Sequence, residues 1–168
     1  NPLVREAFTL AIDRTYIVEK VTQQGQVEAG GFVPYGVYDA EGATGDDFRT
    51  VGGDYYGPTD ADYEANCEKA KELLAAAGIQ EGQKLVISTN ERQERIDMAT
   101  IIQSQLKEVG IDVEIEVLEW GALLDKADRR EQDAIMVGWT CQTADPDMAV
   151  YAVFHSQTNG QVGNNYAN

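Results

Sequence analysis

Apolar residues in the second half of the chain follow two different periods. Residues 84–89 (KLVIST) form a short apolar run, and residues 111–117 alternate aliphatic with acidic side chains, which predicts two strands. The second strand is expected to have one buried and one solvated face, with Val117 on the buried face. Asn90 is expected to cap a helix between the strands. The apolar face of that helix consists of Ile96, Ala99, Ile102 and Leu106.

A third strand and a second connecting helix follow. The pattern predicts a helix near residues 121–130 and then a buried strand over residues 134–139, which ends on Trp139. The order strand, helix, strand, helix, strand implies parallel pairing with right-handed crossovers. The predicted fold class is therefore α/β, with a mainly parallel sheet flanked by helices.

The first half of the chain predicts three helices and one long connection. Asn1 and Asp13 are suited to cap two short helices at the start. A third helix is expected from about residue 60 to 77, with Thr59 and Asp62 as a capping box. These helices would pack beside the predicted sheet.

Residues 25–58 form the long connection and contain little periodicity. A structureless connection of ~30 residues is unusual inside a domain and is often functional. Two interpretations remain open: an ordered surface loop held by its aromatic rings, and a loop that contacts ligand. The rings are those of Phe32, Tyr35, Tyr38 and Phe48.

Composition excludes several classes of function. The formal net charge is −16 with only 13 basic residues, so the clustered Lys and Arg that bind nucleic acid or an anionic membrane are lacking. No apolar run approaches the ~20 residues that span a bilayer. Two cysteines and one histidine exclude a structural zinc site, which needs four such ligands. Cys67 lies at helical spacing from Tyr63, Ala70 and Leu74, so it is interpreted as a small core residue.

Polar side chains and both tryptophans follow the predicted strands. The carboxyl ends of parallel strands meet at one edge of a sheet, where α/β proteins bind ligands. Trp139 is interpreted as facing the ligand because a polar loop follows it, whereas Trp120 has the alternative of ordinary packing beside the next helix. The candidate ligand-binding residues are Asn90, Arg92, Trp120, Trp139, Thr140, Cys141, Gln142, Thr143 and Asp145.

No pattern in the chain requires catalysis. Neither a GxGxxG nor a Walker loop is present, and a calcium-loop pattern that starts at Asp60 fails at its sixth and twelfth positions. Asp145, Asp147 or Glu119 could serve a carboxylate-dependent hydrolase. However, Asp145-Pro146-Asp147 also fits an N-cap, a proline at the first helical position and an acid in the first turn. We therefore predict no catalytic residues, no metal site and no cofactor.

Four segments carry a resemblance to a known family. They read VREAFTLAIDRTYIVEKV, CEKAKELLAAAGI, IIQSQLKEVGIDVEIEVLEW and DAIMVGWTCQTADP. In this order they resemble the solute-binding proteins of bacterial ABC importers, in the oligopeptide and dipeptide class (extracellular solute-binding protein family 5). The four segments are spread over nearly the whole chain, which makes the resemblance specific.

The resemblance implies one lobe of a type II periplasmic-binding-protein fold, in which two lobes close on the ligand. Residues 1–168 are then expected to be a fragment covering most of the carboxy-terminal lobe, and an amino-terminal lobe outside this sequence supplies the other contacts. The implied partners are a peptide or similar small solute and the permease subunits of an ABC importer in the membrane. The implied location is extracytoplasmic, either periplasmic or lipid-anchored at the cell surface. A third hypothesis is a sensor or chaperone-like module that retains this lobe for contacts with other proteins.

One position departs from the peptide-binding members. The resemblance implies an Asp three residues beyond the Trp of the last segment, where it holds the amino terminus of a peptide, but Gln142 stands there. A neutral amide does not neutralise an ammonium group. Either another acid does so, or the ligand lacks a free ammonium and is an oligosaccharide, an opine or a metal chelate. Cys141 is a free thiol, or it pairs with Cys67 or with a cysteine outside this sequence.

Overall fold

The computed structural model describes residues 1–23, 25–29, 31–34, 36–37, 62–140, 143 and 145–158. The chain divides into two compact units. Unit 1 consists of Asn1–Glu28, Pro58–Leu123 and Gln132–Met136, and unit 2 consists of Ala29–Gly57, Leu124–Glu131 and Val137–Asn168.

Unit 1 is built on a parallel sheet of three strands in the order β2-β1-β3. The strands are β1 Gln83–Asn90, β2 Ile111–Leu118 and β3 Ala134–Ile135. β1 pairs with β2 along its whole length and with β3 only at Ile87 and Ser88. Because the pairing is parallel, the carboxyl ends of the strands lie at one edge. The predicted α/β class is confirmed.

The first two helices begin at capping residues that the sequence predicts. The Oδ1 of Asn1 accepts a hydrogen bond from the Leu3 N–H at 3.0 Å, and the Oδ1 of Asp13 accepts one from the Tyr16 N–H at 2.9 Å, so both predicted N-caps are confirmed. A π-helical turn over Val18–Thr22 follows α2. The described α-helices are α1 Pro2–Ala11, α2 Arg14–Ile17, α3 Tyr63–Ala76, α4 Gln93–Glu108, α5 Trp120–Asp128 and α6 Pro146–Phe154.

The core of unit 1 joins α1 and α3 to the sheet and to α4. Small side chains let α1 and α3 approach closely, since Ala7, Ala11 and Ala70 are completely buried. The Tyr63 hydroxyl donates a hydrogen bond across this contact to the Ala11 carbonyl oxygen at 3.1 Å. Cys67 is a buried free thiol in the same core, so its interpretation as a small core residue is confirmed. The remaining buried members are Leu74, Ile87, Leu106, Val109, Ile111 and Val113.

The prediction that Asn90 caps a helix is wrong. Asn90 is the last residue of β1 and pairs with Leu118, so the sheet holds its backbone three residues before α4 begins. Arg92 occupies the N-cap position instead and makes no side-chain capping bond. The Asn90 side chain is therefore available for contacts at the edge of the sheet.

The predicted third strand is longer than the observed one. β3 contains only Ala134 and Ile135, after which the Met136 N–H donates one further bond to the Ser88 carbonyl at 2.9 Å. The Met136 carbonyl, the next acceptor that a longer strand would offer to β1, instead accepts a hydrogen bond from the Arg95 side chain. The residues that follow are not buried, and Trp139 is 45% exposed. An apolar run alone does not determine whether its backbone finds a pairing partner.

Three smaller expectations also change. Val117 is 44% exposed, so the predicted burial along β2 does not extend to its end. Glu116 was predicted to face solvent but is half-buried. Its carboxylate accepts a hydrogen bond from the Ser88 hydroxyl of β1 at 2.7 Å. Asp62 occupies the N-cap position of α3 without a side-chain bond, while Thr59 lies outside the described residues.

The long connection is described only in part. Phe32 packs against Phe154 of α6 within unit 2, with ring centroids 4.3 Å apart. Tyr35, Tyr38 and Phe48 lie outside the described residues. Within the described residues, no helix has the length and apolar character required to cross a membrane.

Candidate functional site

One side chain of unit 1 links the ends of all three strands. Arg95, in the first turn of α4, donates from Nη1 to the Asn90 Oδ1 at the end of β1 and to the Met136 carbonyl oxygen after β3, both at 3.4 Å. Its guanidinium carbon lies 5.8 Å from the ring centroid of Trp120, which begins α5 just after β2. These contacts define the edge cluster: Asn90, Arg95, Trp120 and Met136.

Arg95 is the charged member of the edge cluster, and the nearby Glu94 charge acts on its pKa in the opposite direction to burial and Arg92. Burial, and then the neighbouring Arg92 charge, lower the pKa of the half-buried Arg95 below its usual value. A guanidinium normally titrates above pH ~12, so Arg95 remains charged under physiological conditions. The Arg92 side chain is 65% exposed and lies 3.8 Å from the Glu94 carboxylate.

Of the predicted residues in unit 1, the structure brings together Asn90 and Trp120. Asn90 is only 9% exposed, whereas the Trp120 ring is 42% exposed and has an open surface. Arg92 lies at the same helix start but reaches outward to Glu94. Arg95, the residue that joins the cluster, was not among the predicted residues. Its position three residues after Arg92 in the first turn of the helix was the available signal.

The predicted residues of unit 2 belong to the segment after β3. Trp139, Thr140, Thr143 and Asp145 are all exposed. Cys141 and Gln142 lie outside the described residues. Gln142 is the residue at which the sequence departs from the peptide-binding pattern.

The candidate catalytic carboxylates cap helices. The Oδ1 of Asp145 accepts a hydrogen bond from the Asp147 N–H at 2.9 Å, with Pro146 at the start of α6, so the predicted N-cap is confirmed. The Oε2 of Glu119 accepts bonds from the N–H groups of Gly121 at 2.8 Å and Ala122 at 3.3 Å, at the start of α5. Both carboxylates therefore have a structural role that stabilises a helix end.

A cavity of about 380 Å³ lies at the opposite edge of the sheet, where β1 and β2 begin. The ends of α3 and α4 form its walls, and both acidic and basic side chains line it, among them Lys71, Glu81, Lys107 and Glu108. It is remote from the carboxyl ends of the strands, where α/β proteins bind ligands. No group of three or more metal-ligating side chains occurs within the ranges that the structure describes.

The chain is similar to peptide-binding proteins in sequence and in structure. It is 30% identical to the dipeptide-binding protein of Escherichia coli strain K12, over 98% of this chain and 28% of that protein. It is 32% identical to the oligopeptide-binding protein AppA of Bacillus subtilis strain 168, over 91% and 28% of the two chains. The chain thus spans about 28% of the length of these relatives.

The chain is also similar to a solved structure of a peptide-bound protein. The ABC transporter-associated periplasmic binding protein DppA from Helicobacter pylori, in complex with peptide STSA, superposes with a TM-score of 0.64 at 32% identity, over 90% of this chain and 26% of that chain. The fold is that of type II periplasmic binding proteins. The family model described as "Bacterial extracellular solute-binding proteins, family 5 Middle" matches residues 1–161. The chain therefore belongs to family 5 of the bacterial extracellular solute-binding proteins.

Proposed function

We propose that this chain is part of the carboxy-terminal, ligand-binding lobe of a protein that delivers peptides to an ABC importer. The observation that carries the proposal is the family match over residues 1–161, together with relatives that are named for peptide binding. Since the chain spans only about 28% of those relatives, the remaining part of the binding site comes from another lobe.

The proposed ligand contacts are the residues that the sequence predicts. Unit 1 contributes Asn90, Arg92 and Trp120, and the segment after β3 contributes Trp139, Thr140, Cys141, Gln142, Thr143 and Asp145. The exposed faces of the two indole rings support stacking or apolar contact with the ligand. Asp145 is the weakest member of this set, because one of its carboxylate oxygens already caps α6.

The proposal includes partners and a location. Permease subunits in the membrane receive the ligand, and the protein is extracytoplasmic, either in the periplasm or lipid-anchored at the cell surface. It has no catalytic activity and requires no cofactor. The capping roles of Asp145 and Glu119 favour this reading over a carboxylate-dependent hydrolase.

A non-peptide ligand is the second candidate. The observation that favours it is Gln142, at the position where the peptide-binding pattern implies an acid for the ligand's amino terminus. An oligosaccharide, an opine or a metal chelate does not require that acid. The two candidates differ in ligand class and share the same fold.

The test uses the full-length, two-lobed protein. Defined di-, tri- and tetrapeptides, oligosaccharides and opines are screened by thermal shift, and hits are confirmed by isothermal titration calorimetry. We expect one or more peptides to raise the melting temperature in a saturable manner. Stabilisation by a non-peptide solute alone would transfer support to the second candidate, and the absence of any stabilising solute would overturn the transport function.

A further inference from the structure

The third strand of the sheet has little backbone pairing. Within the described residues, β3 pairs with β1 only through Ala134 and Ile135, opposite Ile87 and Ser88, and the Met136 N–H adds one bond to the Ser88 carbonyl oxygen. By contrast, β1 and β2 pair along their whole length. So short a ladder gives β3 few backbone hydrogen bonds that hold its position along β1.

The side chains of β3 do not fix its register either. Register is normally set by an apolar face that must be buried, because a slip of one residue moves every side chain to the opposite face of the sheet. Ala134 and Met136 pack against the core of unit 1. After a slip of one residue, Ile135 and Val137 would take that side, and they are also apolar. Burial therefore distinguishes the two registers only weakly.

A side chain just before the strand supplies the missing constraint. The Oδ2 of Asp133 accepts a hydrogen bond from the Val86 N–H of β1 at 3.0 Å. Val86 and Ser88 are alternate residues of β1, so their backbone groups point to the same side, towards β3. The Asp133 carboxylate thus extends the ladder by one bond. A slip of one residue would move Asp133 about 3.3 Å along β1 and turn its side chain to the other face, which would break this bond.

We propose that Asp133 is a positioning residue for the ligand-binding segment, residues 137–145. Its bond to Val86 fixes the register of β3, and the register determines how the chain leaves the sheet after Met136 and enters the segment that contains Trp139. Asp133 itself does not contact the ligand. The inference rests on the proposed function, because that function assigns residues of this segment to the ligand site.

The first test needs no ligand. The full-length protein is labelled with 5-fluorotryptophan, and the fluorine resonance of Trp139 is assigned as the one that Trp139→Phe lacks. We expect Asp133→Ala to shift this resonance or to split it in two, because a second register becomes populated. Asp133→Asn should restore the wild-type resonance, because its amide oxygen can still accept the Val86 N–H.

The second test measures affinity, with trialanine as the probe in calorimetric titrations of the full-length protein. Only molecules in the native register bind, so the apparent affinity falls in proportion to their fraction. We expect Asp133→Ala to weaken trialanine binding about tenfold, as when roughly nine-tenths of the molecules occupy the other register. Asp133→Asn should bind within about twofold of the wild type, because most molecules keep the native register.

The matched control is Asp112→Ala, which removes the same charge from an exposed position on β2. It should leave both the Trp139 resonance and the trialanine affinity unchanged, which separates the bond to Val86 from the effect of net charge. Circular dichroism and the melting temperature verify that each variant folds. If Asp133→Ala fails to fold, Asp133→Glu, whose carboxylate is displaced by one methylene group, is compared with Asp133→Asn by the same two measurements.

Two results would overturn the inference while leaving the transport function intact. One is a Trp139 resonance in Asp133→Ala that is identical to that of the wild type. The other is wild-type affinity for trialanine in Asp133→Ala together with a lower melting temperature, which would make the bond to Val86 a local stabilising contact only. If the wild type does not bind trialanine, that result counts against the proposed peptide ligand, and the fluorine spectra alone decide the role of Asp133.

Discussion

The guanidinium carbon of Arg95 lies 5.8 Å from the centroid of the Trp120 ring. The two residues belong to the starts of different helices, α4 and α5, and meet at the carboxyl edge of the sheet. Because the same guanidinium also bonds to Asn90 and to Met136, the contact ties the ends of the three strands together. The edge is thereby organised before any ligand arrives.

We predict that Arg95 and Trp120 are energetically coupled. A double-mutant cycle of Arg95→Met and Trp120→Leu should give a coupling of about 0.5–1 kcal/mol, the range for a partly exposed cation–π contact. The measurement is urea denaturation of the full-length protein without ligand. A parallel cycle with Arg5→Met should show no coupling with Trp120→Leu. Equal couplings in the two cycles would mean that the ring and the guanidinium do not interact in solution.

A second prediction concerns the Asp145 cap of α6. Asp145→Ala removes the oxygen that accepts the Asp147 N–H and should lower the free energy of unfolding by about 1 kcal/mol. Asp145→Asn keeps a capping oxygen and should lose only a few tenths of that amount. Urea denaturation midpoints measure both changes. A variant with Asn that is as unstable as the variant with Ala would show that capping is not the role of this side chain.

A third prediction separates a partly buried ion pair from an exposed one. Glu28 accepts hydrogen bonds from the Arg14 Nε at 2.8 Å and from the Thr15 hydroxyl at 2.6 Å, and the Arg14 and Glu28 side chains are only 20% and 21% exposed. Glu28→Ala should lower the free energy of unfolding by about 1–3 kcal/mol.

The control for this prediction is Glu72→Ala, which breaks a pair with Lys69 on the surface of α3. Those side chains are 70% and 57% exposed, so solvent and salt screen the interaction and the expected loss is below about 0.5 kcal/mol. Urea denaturation at low and high salt measures both variants. Equal losses for Glu28→Ala and Glu72→Ala would contradict the burial argument.

The fourth prediction concerns Tyr63 at alkaline pH. Burial, then the hydrogen bond with Cys67, and the nearby charges of Glu108 and Asp13 raise the pKa of the phenol above its usual value near 10. The folded state therefore holds this proton more tightly than the unfolded state. The corresponding stabilisation is complete below about pH 10 and decreases as the pH rises beyond that value.

Wild-type stability should consequently fall more steeply than that of Tyr63→Phe between about pH 9 and pH 11. Tyr63→Phe should also lose about 1 kcal/mol at neutral pH, because its ring no longer donates to the Ala11 carbonyl. Urea midpoints at both pH values provide the comparison, and the other tyrosines are common to both proteins. Parallel declines would show that Tyr63 titrates as it does in the unfolded chain.

Features that depend on neighbours in sequence were predictable. Asn1, Asp13 and Asp145 cap helices as expected, because a capping side chain bonds to a backbone N–H two or three residues ahead. Cys67 is buried as expected, because its helical spacing places it on an apolar face. Asn90 was misassigned because both a strand end and a helix cap suit the same residue, and the pairing with Leu118 decides between them.

The candidate site was predictable in location but incomplete in composition. The order of strands and helices places Asn90 and Trp120 at one edge of a parallel sheet, and the structure brings the two together. Arg95 was missed because its contact with Met136 joins residues 41 positions apart. The length of β3 was overestimated for a related reason. The Met136 carbonyl, which a longer strand would offer to β1, accepts the hydrogen bond from Arg95 instead.

The sequence by itself determined the α/β class, the parallel order, the helix caps and the family, because these depend on periodicity, local hydrogen bonds and motif order. Only the tertiary structure decided which side chains meet at the edge of the sheet, where β3 ends, and that Arg95 is half-buried there. Those properties depend on groups that are distant in sequence and compete for the same hydrogen-bond partners, and no local pattern encodes the outcome.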